Sequence, residues 1–126
     1  MMDIKMEIGT TYTLTRCISE KETAKFLGSG GLEVYATPAM ICHMELAAYS
    51  LAEKEGFETV GTRLDISHMK ACKAGTEVKV TAELLEIEGR RLEYHVKAED
   101  KDGNLLGEGR HQRFVIDPAR FMAKLG

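Results

Sequence analysis

The chain has 126 residues, of which 44% are hydrophobic, and a formal net charge of −3 at pH 7. This length and apolar content suit one hydrophobic core, so a single domain is expected over residues 1–126. The acidic balance argues against a general nucleic-acid binder, because phosphate contacts require a clustered basic surface.

The cysteines and the N-terminus indicate a reducing compartment. Cys17, Cys42 and Cys72 are odd in number and lack the C-x-x-C spacing of a redox or metal motif. The first residues, Met1 to Lys5, contain no apolar signal core. We therefore expect a cytoplasmic protein. No metal site is expected either, because the chain has neither an H-x-x-x-H nor an H-E-x-x-H motif.

The N-terminal third predicts a strand, a short helix and a loop. Thr10 to Cys17 is rich in β-branched and aromatic residues, which favour a strand. Glu20 to Phe26 favours a short helical segment. The glycines of Gly28 to Gly31 then interrupt regular structure and predict a loop, which is either a flexible connector or a gate beside the next helix.

One long apolar helix is predicted over Ala36 to Ala52. Thr37 suits its N-cap, and Pro38 suits the first turn, where a missing N–H costs nothing. Apolar residues surround the helix on nearly every side, so we expect it to be buried, with Cys42 packed in the core. The helix is slightly short for a membrane span and carries a carboxylate near its middle, so no membrane is expected.

Four strands are predicted after this helix, because apolar and polar residues alternate with a period of two. In residues 59–71 the inward face is predicted to hold Thr62, Leu64, Ile66 and His68. The next two strands present Val78 to Leu84 and Leu92 to Ala98, and a last strand covers 105–116. This order predicts an α+β fold in which an antiparallel sheet curls around one central helix.

Three polar residues are candidates for chemistry: Thr37, Glu45 and His68. Glu45 projects from an apolar surface, where an unpaired charge would be costly, so it needs a cation, a raised pKa or a water-filled cavity. An ion pair would explain it equally well, with one of three arginines: Arg63, Arg110 or Arg113. Of the four histidines, His95 is predicted on a solvated face, His43 on the rim of the helix, and His111 in a strand of unclear phase. His68 is the one histidine whose alternation clearly points inward, which also suits an ordinary core residue. Thr37 could equally be only a cap.

The spacing of these residues suits attack on a carbonyl group. Thr37 and Glu45 would lie roughly 12 Å apart along the helix axis, which leaves a gap for a water or a small acyl group. His68 could border that gap from the sheet or from a partner subunit. Free N–H groups near Ala39 and Met40, at the positive end of the helix, could hold an oxyanion. This arrangement is typical of acyl transfer to water.

Several segments resemble the hotdog-fold acyl-CoA thioesterases of the fluoroacetyl-CoA thioesterase-like family: Val34-Tyr35-Ala36-Thr37-Pro38-Ala39-Met40, Met44-Glu45, Gly61-Thr62, Ser67-His68, Val80-Thr81-Ala82-Glu83-Leu84, Glu88-Gly89-Arg90-Arg91-Leu92 and His111-Gln112-Arg113. The similarity runs from about residue 8 to residue 124. It implies a hotdog fold, with an antiparallel sheet wrapped around one long central helix, and a homodimer or dimer of dimers with sites at the interface.

The resemblance also implies site residues. Thr37, Glu45 and His68 would form the catalytic set, Gly61 would line the acyl pocket and Arg113 would border the site. Two residues at the helix N-terminus, Pro38 and Ala39, are expected to contact substrate. The loop at Gly28 to Leu32 stands where the fluoroacetyl-specific member has an aromatic lid, so selectivity for fluoroacetate is not expected.

These observations predict a thioesterase that hydrolyses a short or medium acyl-CoA to free acid and coenzyme A. His68 would be the general base, Glu45 would orient His68 or water, and Thr37 would be the nucleophile or position water. Coenzyme A is part of the substrate, so no separate cofactor is expected. Four residues are candidates to bind its phosphates: Lys70, Lys73, Arg90 and Arg91. The alternatives are an acyl-CoA-binding sensor without turnover and a hotdog enoyl-CoA hydratase.

Overall fold

A computed structural model describes residues 3–126 of the chain. Its strands and helices follow in this order: β1 (Thr11–Cys17), a 3-10 turn (Glu20–Glu22), α1 (Ala24–Leu27), α2 (Thr37–Glu53), β2 (Glu58–His68), β3 (Glu77–Glu88), β4 (Arg91–Asp100), β5 (Leu105–Ile116) and α3 (Pro118–Ala123). The predicted order of a strand, a long helix and four further strands is confirmed.

The five strands form one sheet in the order β1-β3-β4-β5-β2, with every neighbouring pair antiparallel. The central strands β3 and β4 alternate strictly between buried and partly exposed residues, and their buried side chains pack with those of α2 in one core. The largest apolar contributions from α2 come from Met40, Met44 and Leu51, which are 2% exposed or less. The predicted sheet around a central helix is therefore confirmed.

Helix α2 begins at Thr37, one residue earlier than a cap at Thr37 would place it. Ala36 is the N-cap, with extended backbone angles, and Thr37 is the first helical residue. The prediction that Thr37 caps the helix is therefore wrong. Its hydroxyl points to His68, which leaves Thr37 free for another role.

One side of α2 is uncovered, contrary to the expectation that the whole helix is buried. This side, which we term the open face, consists of Cys42, Glu45, Leu46 and Tyr49, at the spacing of a helical stripe. Cys42 is exposed and Leu46 is 37% exposed, so the prediction that Cys42 packs in the core is wrong. The sheet covers only the opposite side of the helix. No helix within residues 3–126 is both long enough and apolar enough to cross a membrane.

Strand β2 lies at an edge of the sheet and contains a register shift between Gly61 and Arg63. Thr62 and Leu64 are exposed, although their alternation predicted an inward face. Thr62 lies in the bulge, where the alternation is interrupted. Leu64 shares the phase of Ile66, but no further strand within residues 3–126 covers this edge of the sheet, so its side chain stays exposed. Beyond the bulge, Ile66 and His68 are partly buried, as predicted.

Candidate active site

The structure brings Thr37 and His68 into direct contact. Thr37 is the first residue of α2 and His68 is the last residue of β2, and the Thr37 Oγ1 lies 2.7 Å from the His68 Nδ1. The strand end is fixed by pairing of His68 with Gly107 and by a 2.7 Å hydrogen bond from the Met69 N–H to the Leu106 carbonyl. The predicted proximity of these two residues is therefore present within one chain.

The surroundings of His68 favour its neutral form. Burial lowers the pKa of the imidazole, and the nearby Lys70 backbone, which meets neither ring nitrogen at hydrogen-bond geometry, offsets this only in part. In the tautomer with the proton on Nε2, the Nδ1 accepts the Thr37 O–H, which is the arrangement that a general base needs. The Nε2 is buried and meets no hydrogen-bond partner within residues 3–126. The imidazole therefore has one hydrogen-bonded nitrogen and one unsatisfied nitrogen.

A cavity of about 310 Å³ opens beside this pair. Its walls include both members of the pair, Pro38 and Lys70. Three other residues expected to contact substrate are not among its lining residues: Ala39, Gly61 and Arg113. Lys70 is the one predicted phosphate-binding cation on this wall. Lys73 lines a separate cleft, and Arg91 is engaged by Glu86 at 2.7 Å.

The start of α2 offers fewer free amides than expected. The Met40 N–H donates to the Ala36 carbonyl at 3.0 Å, so the prediction that it is free for an oxyanion is wrong. Ala39 is buried, and its N–H meets no acceptor within the described part of the chain. This amide, at the positive end of the helix dipole, remains suited to a developing negative charge.

A second cluster surrounds Glu45. Its Oε2 lies 3.5 Å from the Nη1 of Arg113, so of the three arginines considered from the sequence, Arg113 is the partner. The Arg113 side chain is buried and donates to the Thr59 hydroxyl at 2.8 Å and to the Thr59 carbonyl at 3.2 Å. These bonds hold the guanidinium in place, so it presents a fixed positive charge to a carboxylate that solvent can still reach.

Gly61 makes room for this carboxylate. A Cβ atom at Gly61 would lie 2.7 Å from the Glu45 Oε2 and 3.2 Å from the Arg113 Nη1. Pairing of β2 with β5 places Gly61 opposite Arg113, which explains the close approach. Within one chain, Glu45 and Gly61 belong to this second cluster, and neither lines the cavity beside Thr37. The single chain therefore contains two clusters of candidate residues.

Several known proteins that are similar to this chain in sequence or fold are thioesterases. The family described as fluoroacetyl-CoA-specific thioesterase (FlK) matches residues 18–119. A fluoroacetyl-CoA thioesterase from Streptantibioticus cattleyicolor is 40% identical over 96 residues, which cover 74% of this chain and 68% of the relative. The chain belongs to the fluoroacetyl-CoA-specific thioesterase family.

Solved structures agree with this membership. The fluoroacetyl-CoA thioesterase FlK is 32% identical to this chain, with a TM-score of 0.87, and the match covers 97% of this chain and 96% of FlK. A hypothetical protein from Thermus thermophilus, described as a thioesterase superfamily member, is 28% identical with a TM-score of 0.87, over 96% and 91% of the two chains. The predicted family, hotdog fold and thioesterase class are confirmed.

In this member of the family, the burial of two histidines, His43 and His111, is not predicted by the sequence. His43 was expected on the rim of α2, but it is 7% exposed and bonds to Tyr35 and Glu22. His111, whose phase the sequence left open, is 1% exposed and bonds to the Arg63 carbonyl at 2.8 Å. Glu22, Tyr35 and Arg63 all lie outside the element of the histidine that they contact, so no local pattern signals these contacts.

The chemistry of His111 follows from its neighbours. A carbonyl can only accept, so the Nδ1 carries a proton and the Nε2 accepts from the Arg113 Nη1 at 3.1 Å. Burial lowers the pKa of His111, in agreement with a neutral ring beside a guanidinium. His111 therefore supports Arg113 and is not free to act as a base.

Proposed function

We propose that the chain hydrolyses a short acyl thioester of coenzyme A to the free acid and the thiol. The observation that carries this proposal is the 2.7 Å contact between the Thr37 hydroxyl and a neutral His68 at the mouth of a 310 Å³ cavity. This volume equals that of about ten waters at ~30 Å³ each, which suits a small acyl group and part of a pantetheine arm. A FlK variant solved with acetyl-CoA, 32% identical with a TM-score of 0.88, supports this substrate class.

The proposed chemistry is general-base attack on the thioester carbonyl. The His68 Nδ1 takes a proton from the Thr37 hydroxyl or from a water, and the oxygen attacks the carbonyl carbon. The Ala39 N–H and the α2 dipole would stabilise the oxyanion. When the C–S bond breaks, His68 gives its proton to the leaving thiolate. On the Thr37 route, His68 then takes a proton from a water that attacks the acyl ester, and returns it to the Thr37 oxygen as the free acid leaves. Rapid acid quenching followed by intact mass measurement separates the two routes, because only nucleophilic attack by Thr37 leaves an acyl adduct.

We further propose a homodimer, alone or paired into a dimer of dimers, in which the two clusters meet across the interface. The edge of β2 and the open face of α2 are uncovered, and Leu64 is 40% exposed. The Glu45 side chain is 40% exposed, so a second subunit can approach it. A carboxylate supplied in this way at the cavity beside Thr37 would orient the attacking water. The free cysteines Cys17, Cys42 and Cys72 support a cytoplasmic location.

Thiol release across a panel of thioesters tests the activity. The panel contains acetyl-, fluoroacetyl-, butyryl-, octanoyl- and crotonyl-CoA, and the variants are Thr37→Ala and His68→Ala. One matched control is Thr62→Ala, on the exposed part of β2. The other is His95→Ala, which removes an imidazole that pairs with Glu108 on the more exposed face of the sheet. We expect release by the wild type and both controls only. Binding without release would favour the sensor, and water addition to crotonyl-CoA would favour the hydratase.

Mixing two inactive variants tests the shared site. Thr37→Ala and Glu45→Gln each disable every site when expressed alone. About half of a randomly mixed population is heterodimeric. If Glu45 acts on the partner subunit's site, one of the two sites in each heterodimer is intact, so about a quarter of wild-type activity returns. No recovery in a verified heterodimer would show that Glu45 serves its own chain.

A further inference from the structure

A buried hydrogen-bond relay begins at Tyr35, on the wall of the cavity beside Thr37, and has no role in the chemistry proposed above. The Tyr35 hydroxyl lies 2.5 Å from the His43 Nδ1, and the His43 Nε2 lies 2.8 Å from the Glu22 Oε2. The Ser19 N–H donates to the other oxygen of the same carboxylate at 2.8 Å. Tyr35 is 1% exposed and His43 is 7% exposed. These four residues connect the 3-10 turn, the approach to α2 and α2 itself.

The hydrogen bonds of this relay are all donated toward the Glu22 carboxylate. Burial raises the pKa of Glu22, but the Ser19 N–H and His43 outweigh it, so the net shift is downward and the carboxylate is ionised. An ionised carboxylate only accepts, so the His43 Nε2 carries a proton. The His43 Nδ1 is the one hydrogen-bond partner of the buried Tyr35 hydroxyl within residues 3–126, so the Tyr35 O–H donates to this nitrogen. Burial raises the pKa of Tyr35, so its hydroxyl keeps the proton that it donates. The Tyr35 ring is therefore fixed at both its backbone and its hydroxyl end.

Tyr35 is also the aromatic neighbour of His68. The two rings meet edge to face, with centroids 6.2 Å apart and planes inclined by 77°. The Tyr35 N–H donates to the Cys72 carbonyl at 2.8 Å, in the segment that follows β2. His68 has only one hydrogen-bonded side-chain nitrogen, so packing against Tyr35 restricts the remaining rotation of the imidazole.

We propose that Glu22, His43 and Tyr35 form a positioning relay that sets the ring angle of His68 and so aligns its Nδ1 with the Thr37 hydroxyl. This inference rests on the proposed hydrolysis only for its kinetic consequence. Tyr35, His43 and Glu22 are positioning residues, because none of them is assigned a contact with the reacting atoms. A misplacement of about 1 Å in a catalytic group can cost about a hundredfold in rate, so a small tilt of the ring is sufficient to matter.

Four variants test the relay. Tyr35→Phe and His43→Leu break it, whereas His43→Asn keeps an acceptor oxygen close to the position of Nδ1. Tyr94→Phe is the matched control, because Tyr94 is fully buried and its hydroxyl meets no partner within residues 3–126. With acetyl-CoA we expect the two breaking variants to lose about tenfold in kcat with KM nearly unchanged, and His43→Asn and Tyr94→Phe to stay near wild type.

The ring-nitrogen NMR shifts of His68 supply a readout that needs no turnover. In wild type, His43→Asn and Tyr94→Phe we expect the shifts of a single tautomer with the proton on Nε2. In Tyr35→Phe and His43→Leu they should move toward the average of two tautomers. If the wild type releases no thiol, the proposed function fails while these shifts still decide the relay. Unchanged shifts and unchanged kcat in both breaking variants would overturn the relay.

The double variant Tyr35→Phe/His43→Leu separates positioning from stability. Replacing both hydrogen-bonding groups by apolar groups of similar shape can leave stability nearly unchanged. We expect the melting temperature to recover relative to the single variants while kcat remains low. Recovery of kcat together with the melting temperature would mean that the relay only stabilises the fold, and would contradict the inference.

Discussion

Replacing Gly61 by alanine should inactivate the protein while leaving it folded. The new Cβ would lie 2.7 Å from the Glu45 Oε2, which is about 0.7 Å closer than the 3.4 Å at which ordinary contact begins. Arg113 is held by two bonds to Thr59, so the more exposed carboxylate is the group that moves. Loss of this partly solvated ion pair should cost about 1 kcal/mol of unfolding free energy. A shift of that size in Glu45 should lower kcat by about tenfold to a hundredfold.

Thiol release and thermal melting of four proteins check this reasoning: wild type, Gly61→Ala, Glu45→Ala and the double variant. For a chain of this length, about 1 kcal/mol corresponds to about 4 °C in melting temperature. In the Glu45→Ala background the added methyl no longer meets the carboxylate, so Gly61→Ala should have little further effect on kcat. Wild-type kcat in Gly61→Ala, or a full additional loss in the double variant, would refute the proposed action through Glu45.

Three further outcomes are expected. Thr37→Ser should keep most activity, whereas Thr37→Val should lose about a hundredfold or more because it has no hydroxyl for His68; equal kcat in both would contradict a role for that hydroxyl. Activity should fall as acid protonates His68, and because burial lowers the pKa of this imidazole, the midpoint of kcat/KM against pH should lie below its ordinary value of 6.5. Gly109→Ala should lower the melting temperature measured by circular dichroism, because the new Cβ would overlap the Asp65 carbonyl and lower the free energy of unfolding by about 1 to 3 kcal/mol. An unchanged melting temperature would disprove the close approach.

The main elements could be predicted because their signals are local. Pro38 and the dense apolar residues after it are sufficient to place α2, since a long helix on a sheet needs a wide apolar surface. The strict alternation from Val78 to Leu84 predicts the buried side of β3 correctly, because a central strand has the core on one face only. The same rule fails for Leu64, because β2 is an edge strand and alternation alone does not show which part of an edge strand the core covers.

The site could be predicted only in part, because its contacts depend on register and on distant partners. Thr37 and His68 were singled out by their elements, and the structure joins them. The arginine that pairs with Glu45 could not be chosen, since the choice of Arg113 depends on the pairing of β2 with β5. The burial of His43 was missed because it depends on Glu22, which lies 21 residues earlier in the chain.

The placement of His68 at the very end of an edge strand has a consequence for heat tolerance. Strand ends at sheet edges fray at temperatures that leave the interior intact. Separation of the Met69 N–H from the Leu106 carbonyl would release the imidazole from Thr37 without disturbing the core around Met40. On warming, hydrolysis should therefore cease before the far-ultraviolet circular dichroism spectrum changes. The upper temperature limit of activity would then be set by the hydrogen bond between Met69 and Leu106.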